Sequence, residues 1–83
     1  MNIEIKKILI NKLANNLPFL RKRMRLTQEE LAEKIGVSRI TINTIEKTQH
    51  MTWGRFSSIM MVLTTDKEVC RLLKELGVYH EEL

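Results

Sequence analysis

Three side chains of this 83-residue sequence could bind a soft metal ion, His50, Cys70 and His80, and no two of them stand at zinc-site spacing. No nucleophile has a base beside it at a recognisable spacing, and no glycine-rich loop is present to cradle a phosphate. Nothing here argues for an enzyme, a metal or a cofactor. The remaining chemistry is recognition, and it is concentrated in "LTQEELAEKIGVSRITINTIEK", Leu26 to Lys47. Arg39, Ile40, Asn43 and Thr44 set a guanidinium, an isoleucine, an amide and a hydroxyl on one side of a helical pattern. The apolar stripe of that pattern, Ile42 and Ile45, uses another side. An isoleucine on the wet side is the anomaly.

Two short helices must hold those residues. Thr27 with Glu30 three positions on is a capping box that starts the first helix, with Leu31, Ala32 and Ile35 as its apolar side. Gly36 ends it, supplying the positive φ that a side chain resists. Ser38 caps the second helix, and Val37, Ile42 and Ile45 lock it against the first, where Ala32 is small enough for the axes to come close. This is the recipe of a helix-turn-helix, and also of an ordinary αα-hairpin in a small bundle. Spacing alone leaves both open.

The flanks read as further helices around one core. Ile5, Ile8, Leu9 and Leu13 recur at helical spacing over about residues 2–14, with a short strand as the rival reading where Ile3 and Ile5 alternate with polar residues. Asn15 and Asn16 interrupt that segment, and Asn16 can cap a separate helix with Pro18 in its first turn, burying Leu17, Leu20 and Met24. Thr52 caps a helix carrying Phe56, Ile59, Met60 and Leu63. Thr65 with Glu68 reads as a second capping box, opening a helix over about 65–77 with Val69, Leu72, Leu73 and Leu76 inward and Gly77 at its end. With one proline and three glycines there is no convincing sheet. The expectation is a single all-α domain over 1–83, a bundle of about five helices with an extra N-terminal helix.

A formal charge of +4 permits a polyanionic partner without demanding one. Its distribution is more telling: "RKRMR", Arg21 to Arg25, places four cations in five residues. A single cysteine excludes an intramolecular disulfide and fits a reducing compartment. No apolar run approaches the roughly 20 residues that span a bilayer, and no cleavable leader is recognisable. A soluble, cytoplasmic protein without a membrane partner is expected.

The block from Leu26 to Lys47, preceded by "LRKRMR", resembles the lambda-repressor-like group that includes phage repressors and Cro and aligns with it without gaps; the resemblance covers about residues 17–63. The resemblance identifies residues 27–47 as a helix-turn-helix that binds double-stranded DNA, with Ser38 to Glu46 as the recognition helix. It implies base contacts by Arg39, Ile40, Asn43 and Thr44. Chemistry suits those roles: Arg39 can give two donors to guanine O6 and N7, Asn43 can pair with adenine, and Ile40 can pack on a thymine methyl. Phosphate contacts are implied for Gln28, Ser38, Thr41 and Lys47, and a structural salt bridge for Arg21 with Glu46. The sequence departs from the family in lacking the glycine after the recognition helix, where "KTQHMTW" stands, and in carrying Trp53 where proline is common.

The implied function is a sequence-specific transcriptional regulator, a repressor that binds a pseudo-palindromic operator as a homodimer. The apolar surplus on the fourth and fifth helices is the expected dimer surface, with the N-terminal helix as the alternative. Two rivals stand beside it. One is an antitoxin that represses its own operon and binds a toxin; the other is a protein-interaction module that kept the fold without DNA binding.

Overall fold

The computed structural model describes residues 2–78, so His80 lies outside the described residues. Five helices form there and no strand: α1 (Ile3–Arg23), α2 (Gln28–Ile35), α3 (Arg39–Thr48), α4 (Trp53–Leu63) and α5 (Lys67–Glu75).

The N-terminal third corrects the expectation of two helices. Asn2 caps α1 through a bond from Ile5 N to Oδ1 of 2.9 Å, and the helix then runs unbroken past Asn15, Asn16 and Pro18. Asn16 does not cap a new helix; its Nδ2 donates back to the Lys12 carbonyl at 2.8 Å. Pro18 has no N–H for the carbonyl of Ala14, a loss that normally breaks a helix. Burial outweighs it here, because Leu13, Ala14, Leu17 and Leu20 are all fully buried along one face. The strand reading of Ile3 and Ile5 is overturned by the same helix. Ile5 and Ile8 also leave the expected stripe, at 39% and 54% exposure, since α1 buries nothing before Leu9.

α1 ends without glycine. Leu26 N bonds back to the Arg21 carbonyl at 2.9 Å, and Arg25 turns the chain at φ 58°. α2 then opens on the reciprocal capping box, Glu30 N to Thr27 Oγ1 at 3.0 Å and Thr27 N to Glu30 Oε1 at 2.9 Å. The bond from the Thr27 backbone N–H, and after it the one from the Thr27 hydroxyl, lowers the Glu30 carboxyl below its ordinary value. A carboxylate stabilised in the folded state supports the α2 start above its unfolded pKa, and that support fades as pH falls through the folded one.

Gly36 ends α2 in the left-handed region at φ 75°. A Cβ there would meet nothing within 4 Å, so the strain of a substitution is conformational alone. Gly36→Ala is therefore expected to lower stability by about 1–2 kcal/mol in urea unfolding, with Gly36→Asn recovering much of it, since asparagine visits this region more readily.

α4 starts at its expected cap, with Arg55 N on Thr52 Oγ1 at 3.1 Å. The start of α5 is a second correction. Thr65 Oγ1 donates to the Val62 carbonyl at 2.7 Å, and the cap is Asp66, which accepts from Val69 N at 3.0 Å. Glu68, freed from a capping box, pairs instead with Arg23 across the α1–α5 boundary. Gly77, at φ 75°, closes the segment and lets Val78 N reach the Leu73 carbonyl at 2.9 Å. Phe56, Ile59 and Leu63 of α4 fill the centre, with Leu31 of α2, Ile42 of α3 and Leu73 of α5, all fully buried.

Candidate nucleic-acid interface

What a helix offers to solvent depends on what pins it from behind. α3 is pinned by Ile42 and Ile45, at 0% and 4% exposure, so the opposite side must face outward. Ser38 caps it, its Oγ accepting from Thr41 N at 3.2 Å and lying 3.1 Å from Thr41 Oγ1. Arg39 and Ile40 are its first two residues, both exposed, Ile40 at 68%. Burying an isoleucine is worth about 1.5–3 kcal/mol, so the fold forgoes that gain here. Thr44 and Lys47 are also exposed, and the Thr44 carbonyl accepts from Thr48 Oγ1 at 2.8 Å.

The C-terminal half of α3 is tied down by charge. Arg21 meets Glu46 along both edges, Nε to Oε2 at 2.9 Å and Nη2 to Oε1 at 3.2 Å. Its third nitrogen, Nη1, donates to the Leu26 carbonyl at 3.0 Å. The two side chains are only 11% and 8% exposed, so one guanidinium clamps α1, the α1–α2 turn and α3 together.

Gln28 enters the same cluster from the start of α2. Its Nε2 donates to Glu46 Oε1 at 2.9 Å and faces Asn43 Oδ1 at 3.4 Å. Arg21, Gln28, Asn43 and Glu46 thus form one hydrogen-bonded group. Arg39 and Ile40 stand apart from it at the leading end of α3, and Lys47 at the trailing end. In "RKRMR" the charges divide: Arg21 is buried, Arg23 pairs with Glu68, and Lys22 and Arg25 lie exposed.

After α3 the chain turns at Gln49, which adopts the left-handed conformation at φ 56° without being a glycine. Its Nε2 donates to Asn15 Oδ1 on α1 at 2.9 Å, which helps to hold this strained residue. Trp53 is half-buried and stacked on Phe56, with centroids 4.5 Å apart, and the Lys6 ammonium lies 5.3 Å over its ring. Cys70 donates from Sγ to the Thr64 carbonyl at 3.2 Å, and His50 is exposed in the loop after α3.

One residue escaped the sequence reading. Arg55 lines a shallow groove of about 280 Å³ between α3 and α4 with Ile40, Thr44 and His50. Its Nε is buried without a hydrogen-bond partner among the described residues. The only local signal is its place, third in the helix that Thr52 caps.

Residues 19–50, from the second half of α1 to the end of the α3 turn, match a family model described as helix-turn-helix. An uncharacterized HTH-type transcriptional regulator of Methanothermobacter thermautotrophicus (strain Delta H) is 40% identical over 62 residues, which is 75% of this chain and 72% of that protein. No solved structure matches. No helix among the described residues is long and apolar enough to cross a membrane. On its sequence match and on the α2–α3 pair that carries it, the chain belongs to the lambda-repressor-like helix-turn-helix family of transcriptional regulators.

Proposed function

We propose that the chain is a sequence-specific DNA-binding repressor, without catalytic activity, acting in the cytoplasm on a pseudo-palindromic operator. The observation that carries this reading is the leading end of α3. Arg39 and exposed Ile40 project from it while Ile42 and Ile45 anchor the opposite side. In this reading α3 lies in the major groove, Arg39, Ile40, Asn43 and Thr44 meet base edges, and Ser38, Thr41 and Lys47 meet phosphates. The side-chain N–H₂ of Gln28 is occupied by Glu46 and Asn43, so Gln28 contributes to phosphate binding through the free N–H groups of the α2 N-terminus. Arg55 joins the phosphate set from the α4 side.

Two copies bind together. The described residues measure 30 × 25 × 18 Å and carry one such helix. Successive major-groove faces are about 34 Å apart, so a pseudo-palindrome needs two copies. The surface proposed for the dimer is centred on α4, where Met61 is 74% exposed beside a groove of about 700 Å³ lined by Met24, Leu26, Ile35 and Val62. Met61→Lys is expected to weaken self-association by about tenfold or more in sedimentation, on the basis of lost methionine burial. An unchanged dissociation constant would move the dimer to the face of Ile3, Ile8 and Phe19 on α1.

The test is binding of the full chain to the DNA upstream of its own coding region, compared with a scrambled duplex as salt is raised. The expected result is at least about a thousandfold preference for the native duplex. The logarithm of affinity should fall linearly with the logarithm of salt, by about 0.9 for each phosphate neutralised. Equal affinity for both duplexes would overturn sequence-specific binding, and a slope near zero would leave a protein-interaction module instead.

A further inference from the structure

The hydrogen-bonded group behind α3 has a direction. A carboxylate can only accept, and Glu46 accepts from Arg21 Nε, from Arg21 Nη2 and from Gln28 Nε2. Gln28 must therefore meet Glu46 with its N–H₂ and not with its carbonyl. That same N–H₂ has a second hydrogen, and the group 3.4 Å from it is Asn43 Oδ1. The contact is long and weak as a bond. Its force lies in the alternative: turning the Asn43 amide over would set two N–H₂ groups against each other at that distance. Asn43 is thus biased to keep its oxygen toward α2 and its N–H₂ toward the open side of α3.

We infer that Glu46, acting through Gln28, makes Asn43 a hydrogen-bond donor to the major groove and so a reader of guanine. The inference rests on the proposed role of α3 as a recognition helix. Adenine presents a donor, N6–H₂, beside the acceptor N7, and a bidentate pair with it needs both the oxygen and the nitrogen of the asparagine. Guanine presents two acceptors, O6 and N7. An asparagine whose oxygen is turned inward meets two acceptors on the second edge but only one, N7, on the first. Glu46 and Gln28 are positioning residues here, while Asn43 touches the base.

The experiment selects binders of the full-length chain from a randomised duplex library and sequences them. The position read by Asn43 is the one whose preference collapses in Asn43→Ala. The wild-type chain is expected to favour guanine over adenine there by about tenfold. Gln28→Met removes the inward donor, so this preference should fall to near parity while the position read by Arg39 keeps its own. Asn43→Asp retains the inward acceptor and turns a second acceptor outward, so its preference should move to cytosine, whose N4–H₂ donates. A structural role alone would alter melting or overall affinity, not the base chosen at one position.

Any base other than guanine preferred there by the wild-type chain, or a guanine preference that survives Gln28→Met, would overturn the inference. So would a selected site in which no position responds to Asn43→Ala, with DNA recognition itself left standing. A library from which the wild-type chain enriches no sequence would remove the proposed function as well.

Discussion

Arg21→Ala is expected to lower the stability of the chain by about 3 kcal/mol, as removal of one partner from a buried pair does. The Glu46 carboxylate is 8% exposed and would lose both guanidinium bonds, and the Leu26 carbonyl would lose its donor. A domain of this size has roughly 4–12 kcal/mol in all, so the loss is a large share. Thermal unfolding followed by circular dichroism should show a midpoint lower by about 10–20 °C. Arg21→Lys should recover little, because an ammonium cannot hold both Glu46 oxygens and the Leu26 carbonyl in one plane. DNA binding should fall together with stability in these variants. A variant that melts normally would mean that the pair does not hold the end of α3.

Arg39→Ala is expected to do the reverse. The side chain is exposed at the leading end of α3, away from the Arg21–Glu46 group that holds the helix. Melting should be unchanged, while affinity for the operator falls by about 10- to 100-fold and affinity for scrambled DNA changes far less. Ile40→Ala should relax the choice at one thymine-bearing position with stability intact, since the side chain is 68% exposed. Lys47→Ala makes a useful contrast. A phosphate contact carries no sequence information, so both duplexes should weaken alike, with the salt slope reduced by about 0.9. Gel-shift titrations of the three variants at two salt concentrations separate these roles.

These expectations were open to a reading of the sequence to different degrees. The helix-turn-helix was readable because its signals are local: a capping box at Thr27 and Glu30, a glycine at Gly36 and a serine at Ser38. The continuity of α1 was not, because Asn16 and Pro18 both favour a helix start and only the burial of Leu13, Leu17 and Leu20 overrides them. At α5 two good caps stand side by side. Thr65 found a carbonyl one turn back, and the role passed to Asp66. The fates of Arg21, Arg23 and Arg25 could not be divided from the run itself. They depend on which carboxylate lies opposite, Glu46 for the first and Glu68 for the second.

The orientation of Asn43 is farthest from the sequence. It needs Gln28 and Glu46, 15 residues before it on another helix and one turn after it on its own, to meet at one point. Side-chain type alone suggested an adenine pair; the placement of Gln28 and Glu46 suggests guanine.

The most direct test of α3 as the DNA-binding surface is residue-level mapping by nuclear magnetic resonance. An isotope-labelled full-length chain would be titrated with the duplex from upstream of its own coding region. The expected result is that the largest amide shifts fall on residues 38–47 and on the first turn of α2, with α5 nearly still. Shifts concentrated on α4 and α5 with α3 unmoved, or no shifts at all, would contradict the assignment of α3 to the major groove.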